Sequence, residues 1–118
     1  MSSSSLDWQN IETTSGRYGT MSYLKNDLIL GRSLREYGEW AQGELNLLLD
    51  LIDVGSTVID VGAFMGTHTL AFARHVGPEG QVYAFEPHPV AFSLLRLNIE
   101  QNDLSNVELY KGRCRRSY

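Results

Sequence analysis

The sequence predicts an α/β domain built on a short parallel sheet, and three observations carry that reading. An apolar segment, Thr57 to Val61, runs into a glycine-bearing turn from Gly62 to Gly66. A helical stretch from about Thr67 to Val76 then leads, without a long loop, to a second apolar segment, Gln81 to Phe85, that ends on Glu86. A further helix and strand, Pro89 to about Gln101 and Val107 to Tyr110, repeat the alternation. Strands alternating with helices through short connections specify parallel pairing, because a right-handed crossover returns the chain to the same end of the sheet.

Composition sets the outer limits. The chain has 118 residues, 42% hydrophobic and 20% charged, which suits one compact domain. A net charge of −4 and a pI near 5.2 give no general pull toward phosphate backbones, so nucleic acid is not an expected partner. The basic cluster Arg113, Arg115 and Arg116 reads as a solvated tail over 113–118. Cys114 has no second cysteine with which to form a disulfide or hold a metal, and no metal is expected. Met1 to Ser5 lacks a basic, then apolar leader, and no window approaches the ~20 apolar residues of a membrane span. A cytoplasmic protein with no membrane partner is the expectation.

Along the chain, residues 1–17 are polar and serine-rich and are expected to be disordered. Residues 18–54 read as a hairpin and a helix. Thr20 to Leu24 and Leu28 to Leu30 would pair across the turn-like Lys25, Asn26 and Asp27, and Gly38 breaks the chain. Glu44 to Ile52, with Leu45, Leu47, Leu48, Leu49 and Leu51, predicts a helix with a wide buried face ending at Gly55. Residues 55–112 form the cofactor-binding unit. Gly77 to Gly80 makes a tight return, and Pro89 suits the first position of a helix whose Phe92, Leu95 and Ile99 share one face. Asn102 closes that helix.

The crossover brings the glycine turn and Glu86 to one edge of the sheet, the place where nucleotide cofactors bind. Gly62 lets a ligand approach the backbone, and Gly66 lets the turn reach the helix start, so that free N–H groups and the positive helix end face the ligand. Thr67 and Thr69, in the first turn, can cap backbone donors or touch the ligand. Glu86 can accept hydrogen bonds from ribose hydroxyls. A carboxylate at Asp60, inside an apolar strand, needs a partner: it either braces the turn through the amides ahead of it or answers a positive ligand group.

The run Asp60, Val61, Gly62, Ala63, Phe64, Met65, Gly66, with Thr69 and then Ala84, Phe85, Glu86, Pro87, resembles the first two cofactor motifs of class I S-adenosylmethionine-dependent methyltransferases. Within that class it is most similar to the FkbM family, as are Gly31 to Leu34, Tyr37 to Trp40, and Asn98, Asn102, Leu104, Asn106 and Val107. The resemblance implies a Rossmann-like fold cut to about three parallel strands behind an N-terminal hairpin and helix. It also implies S-adenosyl-L-methionine as cofactor and methyl transfer, commonly to oxygen of a small or glycosylated molecule. By the same resemblance Gly62, Ala63, Phe64 and Gly66 would line the cofactor, with Asp60 near its amino group, Glu86 on the ribose hydroxyls and Pro87 beside the adenine or simply in a turn. Glu44 reads as a solvated helix start.

No catalytic base is assigned. His68 and His75 lie seven residues apart on one helix without a further ligand to define a site, and His88 between two prolines reads as a loop residue. Trp8 and Trp40 read as packing anchors, Trp40 also as a cover for the pocket mouth. Methyltransferases of this kind continue into further strands, whereas this sequence turns to Arg113, Cys114, Arg115, Arg116, Ser117 and Tyr118. The expectation is therefore an N-terminal fragment, from early termination or a change of frame, with weak activity and an unpaired edge of its first parallel strand that favours self-association. Two alternatives stand beside it: a non-catalytic interaction fragment, and half of an NAD-dependent oxidoreductase. Phe64 stands where the dinucleotide fingerprint has its second glycine.

Overall fold

The computed structural model describes residues 6–27 and 29–112. A short 3-10 turn, Trp8–Asn10, leads into β1 (Ile11–Gly16) and β2 (Gly19–Leu24), then α1 (Leu30–Tyr37) and α2 (Gln42–Asp50). The second part runs β3 (Thr57–Val61), α3 (Thr67–Val76), β4 (Gln81–Phe85), α4 (Pro89–Gln101) and β5 (Val107–Tyr110).

The N-terminal hairpin lies upstream of its expected place. Residues 11–16, expected to be disordered, form β1 and pair antiparallel with β2 from Ile11↔Leu24 to Gly16↔Gly19. A strand so poor in apolar side chains holds because its ladder and polar pairs satisfy it: Thr13 and Ser22 share a hydroxyl bond of 2.7 Å, and Tyr23 Oη donates to Glu12 at 3.0 Å. Leu30, expected in a strand, opens α1 instead, and Leu28 lies outside the described residues. Asp27 is a helix-start residue rather than a hairpin turn, since its carboxylate accepts the Leu30 N–H at 3.0 Å.

Helix α2 begins two residues before the expected Glu44 and buries less than its leucine count suggests. Leu45 is buried, while Leu47 and Leu51 face solvent. Gly55 is not its cap: at φ +85° it turns the chain into β3 and donates to Val76 O at 2.8 Å. Trp8, read as a packing anchor, is 65% exposed, whereas Trp40 packs against the core beside Met21 and Leu34.

From β3 onward the elements follow the sequence reading. The three strands are parallel in the order β3-β4-β5, with Val61 opposite Phe85 and Phe85 opposite Tyr110. Pro89 opens α4 with the His88 ring capping it, and Asn102 closes it. Alternation along the strands sends Val82 and Ala84 into the core under Phe72, Val76, Phe92 and Leu95. The opposite face is open: Ile59 and Val61 are 62% and 61% exposed, and Phe85 stacks on Tyr110 at 4.8 Å. Among the described residues β3 has a strand on one side only. The hairpin packs on α4 and α1. No described helix is long and apolar enough to cross a membrane.

Candidate cofactor site

The turn from Gly62 to Gly66 is held open by backbone geometry. Gly62 and Gly66 sit at φ +74° and +99°, and Phe64 between them adopts φ +55°, a conformation that costs an aromatic residue energy unless its surroundings enforce it. The enforcing contact comes from the next strand. Glu86, at the end of β4 and only 7% exposed, accepts the Phe64 N–H on Oε1 at 2.8 Å and the His88 N–H on Oε2 at 3.0 Å. Gly62 and Ala63 both donate to Phe85 O, at 2.9 and 3.0 Å, and Gly66 donates to Ala63 O at 3.0 Å.

This geometry corrects one expectation. The amides of Gly62, Ala63, Phe64 and Gly66 are spent inside the protein, so the turn offers a ligand space rather than a cradle of free donors. A Cβ built on Gly62 meets no atom within 4 Å, which leaves that side of the turn clear. Gly66 is closed in by contrast: a Cβ there would come within 2.9 Å of Leu95 Cδ1.

Asp60 lies beneath the turn on β3. Its Oδ2 accepts the Thr69 hydroxyl at 2.6 Å, so Asp60 braces α3 through a side chain and not through the turn amides. Burial pushes the Asp60 carboxyl above its ordinary range, against the pull of the Thr69 bond and the neighbouring His68, and the Glu86 charge pushes the same way as burial. Thr69 is fully buried and caps nothing, and Gly66, which caps α3, supplies no side-chain bond. Ala63 is buried against Phe92 and Leu95, while Phe64 is half exposed. Pro87 follows Glu86 at the same sheet edge.

The histidines separate. His75 Nε2 meets Ile52 O at 2.6 Å and ties α3 to the end of α2, and His88 caps α4. His68, next to the turn, points its buried Nε2 toward Glu44 of α2 at 3.8 Å without a hydrogen bond. Trp40 lines a cavity of about 20 Å³ with Tyr18, Leu45, Thr67 and Leu70, room for a single water and not for a cofactor. Among the described residues no group of His, Cys, Asp or Glu could hold a metal.

Two features of the site went unread in the sequence. Phe64 in a left-handed conformation has no local signature. Asn98 had one: it falls on the apolar side of α4, one turn after Leu94, and is fully buried. Its Nδ2 donates to Met65 O at 2.8 Å and Ser22 O at 3.0 Å, and its Oδ1 accepts Ser22 N–H at 2.7 Å.

A parallel β3-α3-β4 crossover, a positive-φ turn after the first strand and a buried acid after the second form the nucleotide-cofactor site of a Rossmann-like fold. Comparison with known proteins places it among class I S-adenosylmethionine-dependent methyltransferases. The family model described as protein-L-isoaspartate(D-aspartate) O-methyltransferase (PCMT) matches residues 40–118, and the chain belongs to that family. It is 40% identical over 58 residues to a probable cobalt-precorrin-6B C(15)-methyltransferase (decarboxylating) of Sulfolobus acidocaldarius, covering 49% of this chain and 30% of that protein. Over 68 residues it is 35% identical to the tRNA (adenine(58)-N(1))-methyltransferase catalytic subunit TRM61 of Cryptococcus neoformans, covering 57% and 16%. The solved structure of M. jannaschii TYW2 in complex with AdoMet shares the fold, with a TM-score of 0.65 and 24% identity over 87% of this chain and 43% of that one.

The chain thus spans less than a third of the length of either curated relative. The expectation that nucleic acid is not a partner is overturned, because the proteins this chain resembles include tRNA and rRNA methyltransferases. Net charge is a weak guide because it averages over the surface, whereas nucleic acid is bound by local patches. S-adenosylmethionine is the cofactor. The residues fit it: clear space over Gly62 beside two carboxylates, Asp60 and Glu86, suits a ligand bearing cationic groups and vicinal hydroxyls.

Proposed function

We propose that this chain carries the cofactor-binding elements of an O-methyltransferase whose acceptor is a small or glycosylated molecule. The Phe64 N–H to Glu86 bond carries the reading, since it fastens the acid of the second strand to the turn of the first, whose Gly62 has a clear side. S-adenosylmethionine, when bound, supplies a methyl group activated by its sulfonium. A carboxylate has about four lone-pair positions. Glu86 uses two on backbone donors, and the remainder are available to the ribose hydroxyls. Asp60, short of solvent and held by one hydroxyl, favours a cationic neighbour, which fits the amino end of the cofactor.

Gly62, Ala63, Phe64 and Gly66 would shape the wall along the ligand, Thr69 would hold Asp60 in place, and Pro87 would stand beside the adenine. The oxygen acceptor rests on the PCMT family description and on the FkbM-like motifs around Asp60 and Glu86. The same family resemblance leaves the catalytic base unassigned.

Calorimetric titration with S-adenosylhomocysteine tests the reading. The wild-type chain should bind, and Glu86→Ala should weaken binding by roughly tenfold to a hundredfold, the worth of a charged hydrogen bond. Equal affinity in both proteins would remove Glu86 from the site.

A further inference from the structure

Helix α4 touches the glycine turn at two successive residues. Leu95 closes against Gly66, where no Cβ fits, and Asn98 Nδ2 donates to the Met65 carbonyl at 2.8 Å. Asn98 and Met65 are both fully buried, so no water competes for that bond. The remaining polar capacity of Asn98 is committed elsewhere: Ser22 N–H at 2.7 Å, Ser22 O at 3.0 Å and Gln101 Nε2 at 2.8 Å. One amide therefore joins β2, α4 and the turn.

We propose that Asn98 is a positioning residue for the cofactor turn, acting through the Met65 carbonyl, and the proposal rests on the cofactor reading above. The turn contains a strained residue, Phe64 at φ +55°, and its own short bond from Gly66 to Ala63 O does not fix the height of the intervening peptides. The Asn98 donor fixes one of them from below, while Glu86 fixes Phe64 from the side. With both in place the peptide from Met65 to Gly66 has one orientation, and the space over Gly62 keeps its shape. Asn102, one turn later, makes the matched comparison. Its amide grips Thr20 of the same β2 strand, accepting from N–H at 2.9 Å and donating to O at 2.7 Å, and none of its bonds reaches the turn.

The test compares Asn98→Asp and the smaller Asn98→Ser with Asn102→Ala, each well below its own melting midpoint. Two quantities are read: affinity for S-adenosylhomocysteine, and the amide nitrogen shift of Gly66, which shares its peptide group with the Met65 carbonyl and reports on the bond to it. Expected for either Asn98 variant that folds are a loss of affinity of about tenfold or more and a displaced Gly66 resonance. Asn102→Ala should lower the melting midpoint and leave both unchanged. Asn98 variants that bind within about twofold of wild type, or an Asn102 variant that loses as much affinity, would overturn the proposal. Should wild type itself not bind, the cofactor reading fails first, and an unmoved Gly66 resonance in the Asn98 variants would then sink the positioning role on its own.

Discussion

The backbone N–H of Phe64 donates to the Glu86 carboxylate at 2.8 Å, across 22 residues of sequence. That bond links the left-handed centre of the turn to the end of the neighbouring strand, so Glu86 serves the fold before it serves a ligand. Glu86→Gln keeps an acceptor for one of the two N–H groups, Phe64 or His88, but sets an NH2 against the other, so it should cost part of what the alanine variant costs. Glu86→Ala leaves two buried-side N–H groups without their acceptor and should cost about 1–3 kcal/mol. Urea denaturation of the three proteins separates the outcomes.

Asp60 should trade stability against binding. Its carboxyl is raised by burial, so the folded chain holds that proton more tightly than the unfolded chain does. The associated stability is present at acid pH and is lost as pH rises from about 4 through the raised value. Asp60→Asn removes the loss and can still accept the Thr69 hydroxyl. Melting curves should show the variant gaining on wild type as pH rises toward neutrality, while its affinity for S-adenosylmethionine falls.

Thr69→Val keeps the shape of the side chain and deletes the donor to Asp60, which lies at 2.6 Å. A carboxylate then sits part-buried with no hydroxyl to stabilise it. Destabilisation of about 1–3 kcal/mol at neutral pH is expected, shrinking as acid neutralises Asp60. A constant loss across pH would mean that packing alone explains it.

Gly66→Ala should be among the most damaging small substitutions. It faces φ +99° and a contact of 2.9 Å with Leu95 Cδ1 together. Leu95→Ala relieves the contact but empties a fully buried core position, at about 2–5 kcal/mol on its own, so the double variant should lose less than the sum of the two single losses and more than Leu95→Ala alone. A double variant as stable as Leu95→Ala alone would show that the backbone angle is not limiting.

The α/β half of the chain was legible because its signals are local. The apolar runs of β3 and β4, Pro89 at a helix start and Asn102 at its end all act within a few residues. The hairpin was misplaced because β1 is polar and its partner strand β2 is held by side chains from far along the chain. Ser22 and Thr20 are gripped by Asn98 and Asn102 from 76 and 82 residues away, and no window along β2 announces that. The candidate residues Asp60, Gly62, Gly66 and Glu86 fall at one sheet edge as expected. Their chemistry differs, since the turn amides are taken by Phe85 and Glu86, a cross-strand fact that glycine spacing cannot express.

The glycine turn and Glu86 are proposed to form one cofactor site. Amide chemical-shift mapping during titration with S-adenosylhomocysteine tests this most directly. Saturable shifts centred on Gly62, Phe64, Gly66 and Glu86, with the open sheet face at Ile59 and the surface around Arg74 and Asn106 unmoved, are predicted. Shifts that saturate elsewhere while the turn stays still would contradict it.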